Sequence, residues 1–302
     1  MILNDNTMKA LIGIDTAGTY EPAVRLFCRL KFPNPDLTLL NAADIVFPYT
    51  SFAMPPAIDA TNDFVSGLKD AGHQAVKEAA EIARSFGVEA KQEVVSGPCV
   101  LTVLDRADAL GVDLIGVAST RKGPLAALFT GSMSRSIVTS SHHPVLVAKE
   151  SVEKDGPVEA VFATDHSPYA EMAVDRFLAM APKGISRIQV VTAYEISDKE
   201  ASLLHANLPA LDGHVDQWIQ EKLDEKCRAL VGKLRQHGYD ADYTLDKGDA
   251  NKLISREMER TKADLLIMGA QGHGFMDRLF LGSVSFHQLV AEPHSMLILR
   301  NS

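Results

Sequence analysis

Asp264-Leu265-Leu266-Ile267-Met268-Gly269-Ala270-Gln271-Gly272-His273-Gly274 is the stretch on which the fold turns. An unbroken apolar run followed by a glycine-rich exit is what a strand buried on both faces needs before it passes the chain to a loop. The same opening stands 151 residues earlier, as Asp113-Leu114-Ile115-Gly116-Val117-Ala118. Outward from these two runs, landmarks recur at an offset of 150 or 151 residues: Asp15 with Asp165, Gly97 with Gly248, Gly131-Ser132 with Gly282-Ser283, and His143 with His294. So long a period means two duplicated domains rather than the short units of a solenoid.

Each half runs through one order of elements. A β-rich segment ends in a turn at Asp15 or Asp165, and a helix follows with Pro22 or Pro168 in its first turn, where a missing N–H has no intrahelical partner to lose. Strands are predicted over residues 37–43 and 188–193, then long helices near 63–86 and 213–237, each stopped by a glycine, Gly87 or Gly238, suited to a left-handed C-cap. Third strands over 88–95 and 239–245 lead through another helix to the two apolar runs, and the halves close with strands at 145–148 and 296–299. Alternating strands and helices imply right-handed βαβ crossovers. The expected fold class is α/β, with two doubly wound, open parallel five-stranded sheets, Rossmann-like or flavodoxin-like, over residues 1–150 and 157–302. The charged stretch from Lys149 to Pro157 reads as the boundary, and residues 48–62 and 197–212 as irregular insertions.

Composition narrows the function classes. With 302 residues, 46% hydrophobic and 23% charged, the chain can bury two ordinary cores. A formal net charge of −9 argues against a surface built to neutralise nucleic-acid phosphates. Cys28, Cys99 and Cys227 are too dispersed for a disulfide framework or a CxxC clip, which fits a reducing, cytoplasmic setting. No apolar run reaches the length of a membrane span. His142, His143 and His294 precede the final strands without zinc-ligand spacing.

The chemistry lies after the fourth strand of the second half. Gly269 and Gly272 allow close backbone approach, and Gly282-Ser283-Val284-Ser285 opens a helix whose first N–H groups lack intrahelical partners and favour an anion. Ser283 and Ser285 can add hydroxyl donors, and His273 can donate to a phosphate from the loop. The G-x2-G-x9-G-S spacing resembles the ATP-binding signature of the universal stress protein family. That resemblance covers both halves in element order, and the signature is complete only in the second. It implies that Asp165 lies near ribose and phosphates or a bound Mg2+, and that Val191 to Ala193 offer backbone groups to adenine. It also implies a nucleotide site of Thr164, Asp165, Thr192, Ala193, Met268, Gly269, Gly272, His273 and Gly274, with Gly282, Ser283, Val284 and Ser285.

The first half departs from the pattern. Ala118 stands opposite Gly269 and Arg121 opposite Gly272, while Gly131, Ser132 and Ser134 keep the helix start and Asp15 keeps its place. An arginine there either crowds out a triphosphate or grips a different anion with its planar fork.

The expected function is an ATP-, ADP- or AMP-binding stress-response module that holds nucleotide, with Mg2+ where ATP is bound, and answers to a protein partner. The two halves are expected to pack face to face as a fused pseudo-dimer joined through the final strands, with a further homodimer left open. No catalytic set beyond Asp165 can be named, so turnover is expected to be weak at most. The rival readings are a slow ATPase or phosphotransferase using the same pocket, and a binder of another small anion.

Overall fold

The computed structural model describes residues 7–44, 58–119, 132–149, 156–196, 214–271 and 281–300. The first half runs β1 (Met8–Gly13), α1 (Glu21–Leu30), β2 (Pro35–Ala43), α2 (Ile58–Ser85), β3 (Ala90–Ser96), α3 (Cys99–Leu110), β4 (Leu114–Ser119), α4 (Ser132–Ser140) and β5 (Val145–Lys149). The second runs β6 (Val158–Ala163), α5 (Pro168–Met180), β7 (Ile185–Tyr194), α6 (Val215–Gln236), β8 (Asp240–Lys247), α7 (Ala250–Thr261), β9 (Leu265–Gly269), α8 (Ser283–Ala291) and β10 (Ser295–Leu299). Among the described residues no helix is long and apolar enough to cross a membrane.

Side-chain chemistry sets the strand order. The apolar β4 and β9 are buried along nearly their whole length and take central places, whereas β3 and β8 alternate charged and partly exposed residues and lie at the two edges. The order is β3-β2-β1-β4-β5-β10-β9-β6-β7-β8, and each half therefore changes direction between its first and fourth strands. Neighbours pair in parallel except β5 and β10, which pair antiparallel through Met296 with Val147, Leu297 with Leu146 and Ile298 with Val145.

Five parallel strands per half and a join through the final strands agree with the sequence reading. Face-to-face packing does not occur, because the free edges of β5 and β10 satisfy each other and extend one ten-stranded sheet. Alternation along each strand then builds two core layers that cross both halves. Ile12, Phe27, Phe162 and Phe177 lie in one, and Leu11, Ile115, Ile254 and Leu289 in the other.

Local signals are met with small shifts. Gly87 and Gly238 end the long helices at φ 79° and 92°. Ser167 caps α5, accepting from the Ala170 amide at 3.2 Å, with Pro168 at the first helical position. Helix α2 reaches back to Ile58, so 58–62 are helical rather than irregular, while 48–57 and 197–212 lie outside the described residues. Lys149 is the last residue of a buried strand rather than the start of a linker.

The seam between halves carries two ion pairs and a close backbone contact. Arg29 reaches Asp264 at 3.5 Å, and in the equivalent place across the molecule Arg176 reaches Asp113 at 3.1 Å. The Gly184 amide donates to the Leu30 carbonyl at 2.8 Å, bringing the start of β7 against the end of α1.

Candidate functional site

In open α/β sheets the crevice forms outside the carboxyl ends of strands at the point where their order reverses. At the β6/β9 switch the structure has a cleft of about 270 Å³. Part of its lining is apolar: Val191 and Ala193 from β7, Ile254 of α7 and Met268 of β9, with the small side chains of Ala163, Ala170 and Ala250. The rest is polar, with Asp165 after β6, Gln271 after β9, and the first turn of α8 from Gly282 to Ser285. The Gly282 amide donates to the Ala270 carbonyl at 2.8 Å, which pins the start of α8 to the end of β9.

Of the residues singled out from sequence, Thr164, Asp165, Ala193, Met268, Gly269, Gly282, Ser283, Val284 and Ser285 line this cleft. Gly272, His273 and Gly274 lie outside the described residues. Two roles change. Thr192 does not line the cleft: strand alternation turns it away from Val191 and Ala193, and its hydroxyl lies 3.0 Å from His166 Nε2. Ser285 is buried and its hydroxyl donates to the Gly269 carbonyl at 3.0 Å, so it braces the two ends of the loop instead of offering that proton to a phosphate. Ser283 stays exposed at the helix N-terminus.

His166 is a residue that sequence reasoning missed. It adopts a left-handed backbone, φ 54°, in the short turn from Asp165 to Pro168 and buries its ring against Thr192 and Cys227, with Nε2 3.3 Å from the thiol. Its amide donates to Thr164 Oγ1 at 3.1 Å, and Lys226 donates to its carbonyl at 3.2 Å. Beside it, the Ser167 amide donates to Asp165 Oδ1 at 3.0 Å, so the turn aims the carboxylate at the cleft. The only available signal was that histidine, like Asn and Asp, is enriched among non-glycine residues at positive φ.

Burial, and then the Lys226 ammonium, pushes the His166 imidazole down to about 4 from an ordinary 6.5, against a weaker pull from Asp165. The native state therefore keeps this ring neutral while the unfolded chain takes up a proton below 6.5. Its stabilising contribution is complete above that pH and is lost as pH falls toward 4. The loss amounts to roughly 3 kcal/mol. Urea unfolding across this window is expected to show the stability advantage over His166→Asn shrinking by that amount. A constant gap would mean the ring titrates normally in the folded protein.

The first half has a cleft of about 290 Å³ in the equivalent place. Its lining differs in kind: Cys99 replaces Ala250, Met133 replaces Val284, and Asp44 joins Asp15. Cys99 Sγ lies 3.0 Å from Met133 Sδ. Burial first, then Asp44 and Asp15, raises the Cys99 thiol above its ordinary range. Asp15 accepts from the Thr19 amide at 2.9 Å and from the Thr19 hydroxyl, within a turn longer than its counterpart at Asp165. Ser132 is exposed at the start of α4, and Ser134 repeats the brace of Ser285, donating to the Ala118 carbonyl at 2.9 Å. Arg121 and Gly131 lie outside the described residues.

Among the described residues no group of three or more His, Cys, Asp or Glu side chains is arranged to hold a metal. His143 Nε2 lies 2.8 Å from an Asp108 carboxylate oxygen and His294 Nε2 3.0 Å from Gln288 Oε1.

Comparison with known proteins agrees with this architecture. An 83-residue stretch is 30% identical to a universal stress protein of Methanocaldococcus jannaschii, covering 28% of this chain and 49% of that protein, so the match spans about half of that relative's length. A universal stress protein of Mycobacterium bovis is 26% identical over 245 residues, 78% of each chain. The crystal structure of a universal stress protein from Archaeoglobus fulgidus shares the fold with a TM-score of 0.65 at 17% identity, over 97% of this chain and 98% of that one. The model of the universal stress protein family matches residues 8–149 and again 159–299. The chain belongs to the universal stress protein family and carries two of its domains in tandem.

Proposed function

We propose that the second half holds an adenine nucleotide, ATP with Mg2+ foremost, and acts as a nucleotide-dependent binding module in which occupancy biases the choice of a protein partner. The observation that carries this reading is one cleft lined both by apolar side chains and by a helix N-terminus together with a carboxylate. An adenine ring suits the slot between Val191, Ile254 and Met268, and phosphates suit the first amides of α8, which lack intrahelical partners. Mg2+ takes few protein ligands and several from phosphate and water, which fits Asp165 as the one carboxylate in the described lining.

The described lining contains no lysine or arginine to neutralise charge on a transferring phosphoryl group. Holding nucleotide is therefore the better match than rapid turnover. In the first half, the carboxylates of Asp15 and Asp44 in the lining oppose a polyphosphate.

Calorimetric titration of Mg-ATP into the nucleotide-stripped chain tests this. One site per chain is expected, weakened at least about tenfold in Asp165→Ala through loss of the metal-facing carboxylate. Absence of binding in the parent chain would overturn the reading, and two equal sites would show that the first half binds as well.

A further inference from the structure

Each half ends in a buried cation that reaches into the other half. Lys149, at the end of β5, is 4% exposed, and its ammonium donates to the carbonyls of Leu289 and Glu292, each at 2.6 Å. These are carbonyls at the C-terminal end of α8. Arg300, immediately after β10 and also 4% exposed, donates from Nη2 to the Val138 carbonyl in the last turn of α4 at 2.8 Å. The two residues occupy equivalent positions across the antiparallel join.

The last carbonyls of a helix lack intrahelical partners and form its negative end, so a cation there completes them and favours the aligned dipole. Helix α8 has nine residues, about 13 Å of length. Its other end is the first turn beside Asp165 in the cleft. Lys149 is itself paired in the sheet with Ser119, the last residue of β4, at the first half's own cleft-forming edge. One short rod therefore runs from the phosphate end of the second cleft to the end of β4 in the first half.

We infer that Lys149 is a positioning residue supplied by the first half to the phosphate-binding end of the second, so that the second site is complete only with its neighbour in place. This rests on the nucleotide reading above. Lys149 touches no nucleotide in it. The residue acts by holding α8 and its dipole in line with the phosphates, and it leaves the adenine slot alone.

Titrations of Mg-ATP and of adenosine into the full parent chain, Lys149→Met, Lys149→Arg and Arg300→Met separate the outcomes. Lys149→Met is expected to weaken Mg-ATP by about five- to tenfold and adenosine by less than about twofold. Lys149→Arg should restore most of the loss, since Arg300 does the same work for α4, and Arg300→Met should leave Mg-ATP unchanged. Equal losses for both ligands, or none for ATP, would overturn the inference while leaving the nucleotide reading intact. No ATP binding by the parent chain would bring down both. Should Lys149→Met fail to fold, hydrogen exchange on the parent chain decides: ATP should slow exchange across 287–292 and 145–149 but not across 135–140, and protection confined to the cleft would refute the coupling.

Discussion

Gly184→Ala is expected to destabilise the protein by more than about 3 kcal/mol, beyond the usual cost of overpacking a core. A Cβ at this position would lie 1.8 Å from the carbonyl oxygen of Arg29 and 2.8 Å from the carbonyl carbons of Arg29 and Leu30. All three are backbone atoms at the end of α1, so no side chain can swing aside. Gly184 is absent from the positive-φ positions, and the penalty is therefore one of space rather than of backbone conformation. Relief requires β7 to withdraw from α1, which breaks the hydrogen bonds that the Gly184 and Lys183 amides donate to the Leu30 and Lys31 carbonyls. It also strains the neighbouring Arg29–Asp264 pair. Gly232→Ala is the matched contrast: it lies within α6 with nothing near its missing Cβ, and alanine there should stabilise by about 0.5–1 kcal/mol. Urea unfolding of both variants checks the pair, and similar small effects would mean that the halves are not pressed together at this point.

Ser283→Asp should separate binding from stability. Ser283 is exposed at the first position of α8, where a carboxylate favours the helix dipole by about 0.3–1 kcal/mol. The melting temperature is therefore expected to stay level or rise. The same carboxylate would stand where the proposed reading puts phosphate, and repulsion between like charges at close range should reduce Mg-ATP affinity at least about a hundredfold. Adenosine, which carries no phosphate, should be affected far less. Thermal unfolding with parallel titrations reads both quantities. Retained ATP affinity in a folded variant would mean that the phosphates do not meet the start of α8.

Much of the fold is legible in the sequence because its cause is local. Leu265 to Met268 and Leu114 to Val117 read as buried strands since apolar runs of that length have few other uses, and Gly87 and Gly238 read as helix stops because a left-handed cap favours glycine. The duplicated order of elements extends that reading to both halves. What stayed hidden depends on partners distant in sequence. Asp113 and Asp264 stood out as repeats, but their pairing with Arg176 and Arg29 follows only once β5 and β10 have joined. Lys149 read as the edge of a linker because nothing local tells a buried lysine that caps a helix 140 residues away from an exposed one.

The cleft was partly legible in the same sense. Glycines, serines and an aspartate mark the ends of strands, and those ends converge by the geometry of the fold. The directions of their side chains are not in the pattern: Thr192 turns to His166, and Ser285 is engaged with Gly269. Nor does the pattern disclose that Cys99 and Met133 meet inside the first cleft.

The antiparallel join of β5 to β10 also bears on how such a molecule can change over generations. In an assembly of two identical subunits one gene specifies both pockets, and every altered codon appears twice. Here Cys99 and Ala250, Met133 and Val284, Lys149 and Arg300 stand in equivalent places yet differ, because each is encoded separately. One pocket can then drift or acquire a new specificity while the other keeps its lining. The seam demands only that its two sides remain complementary.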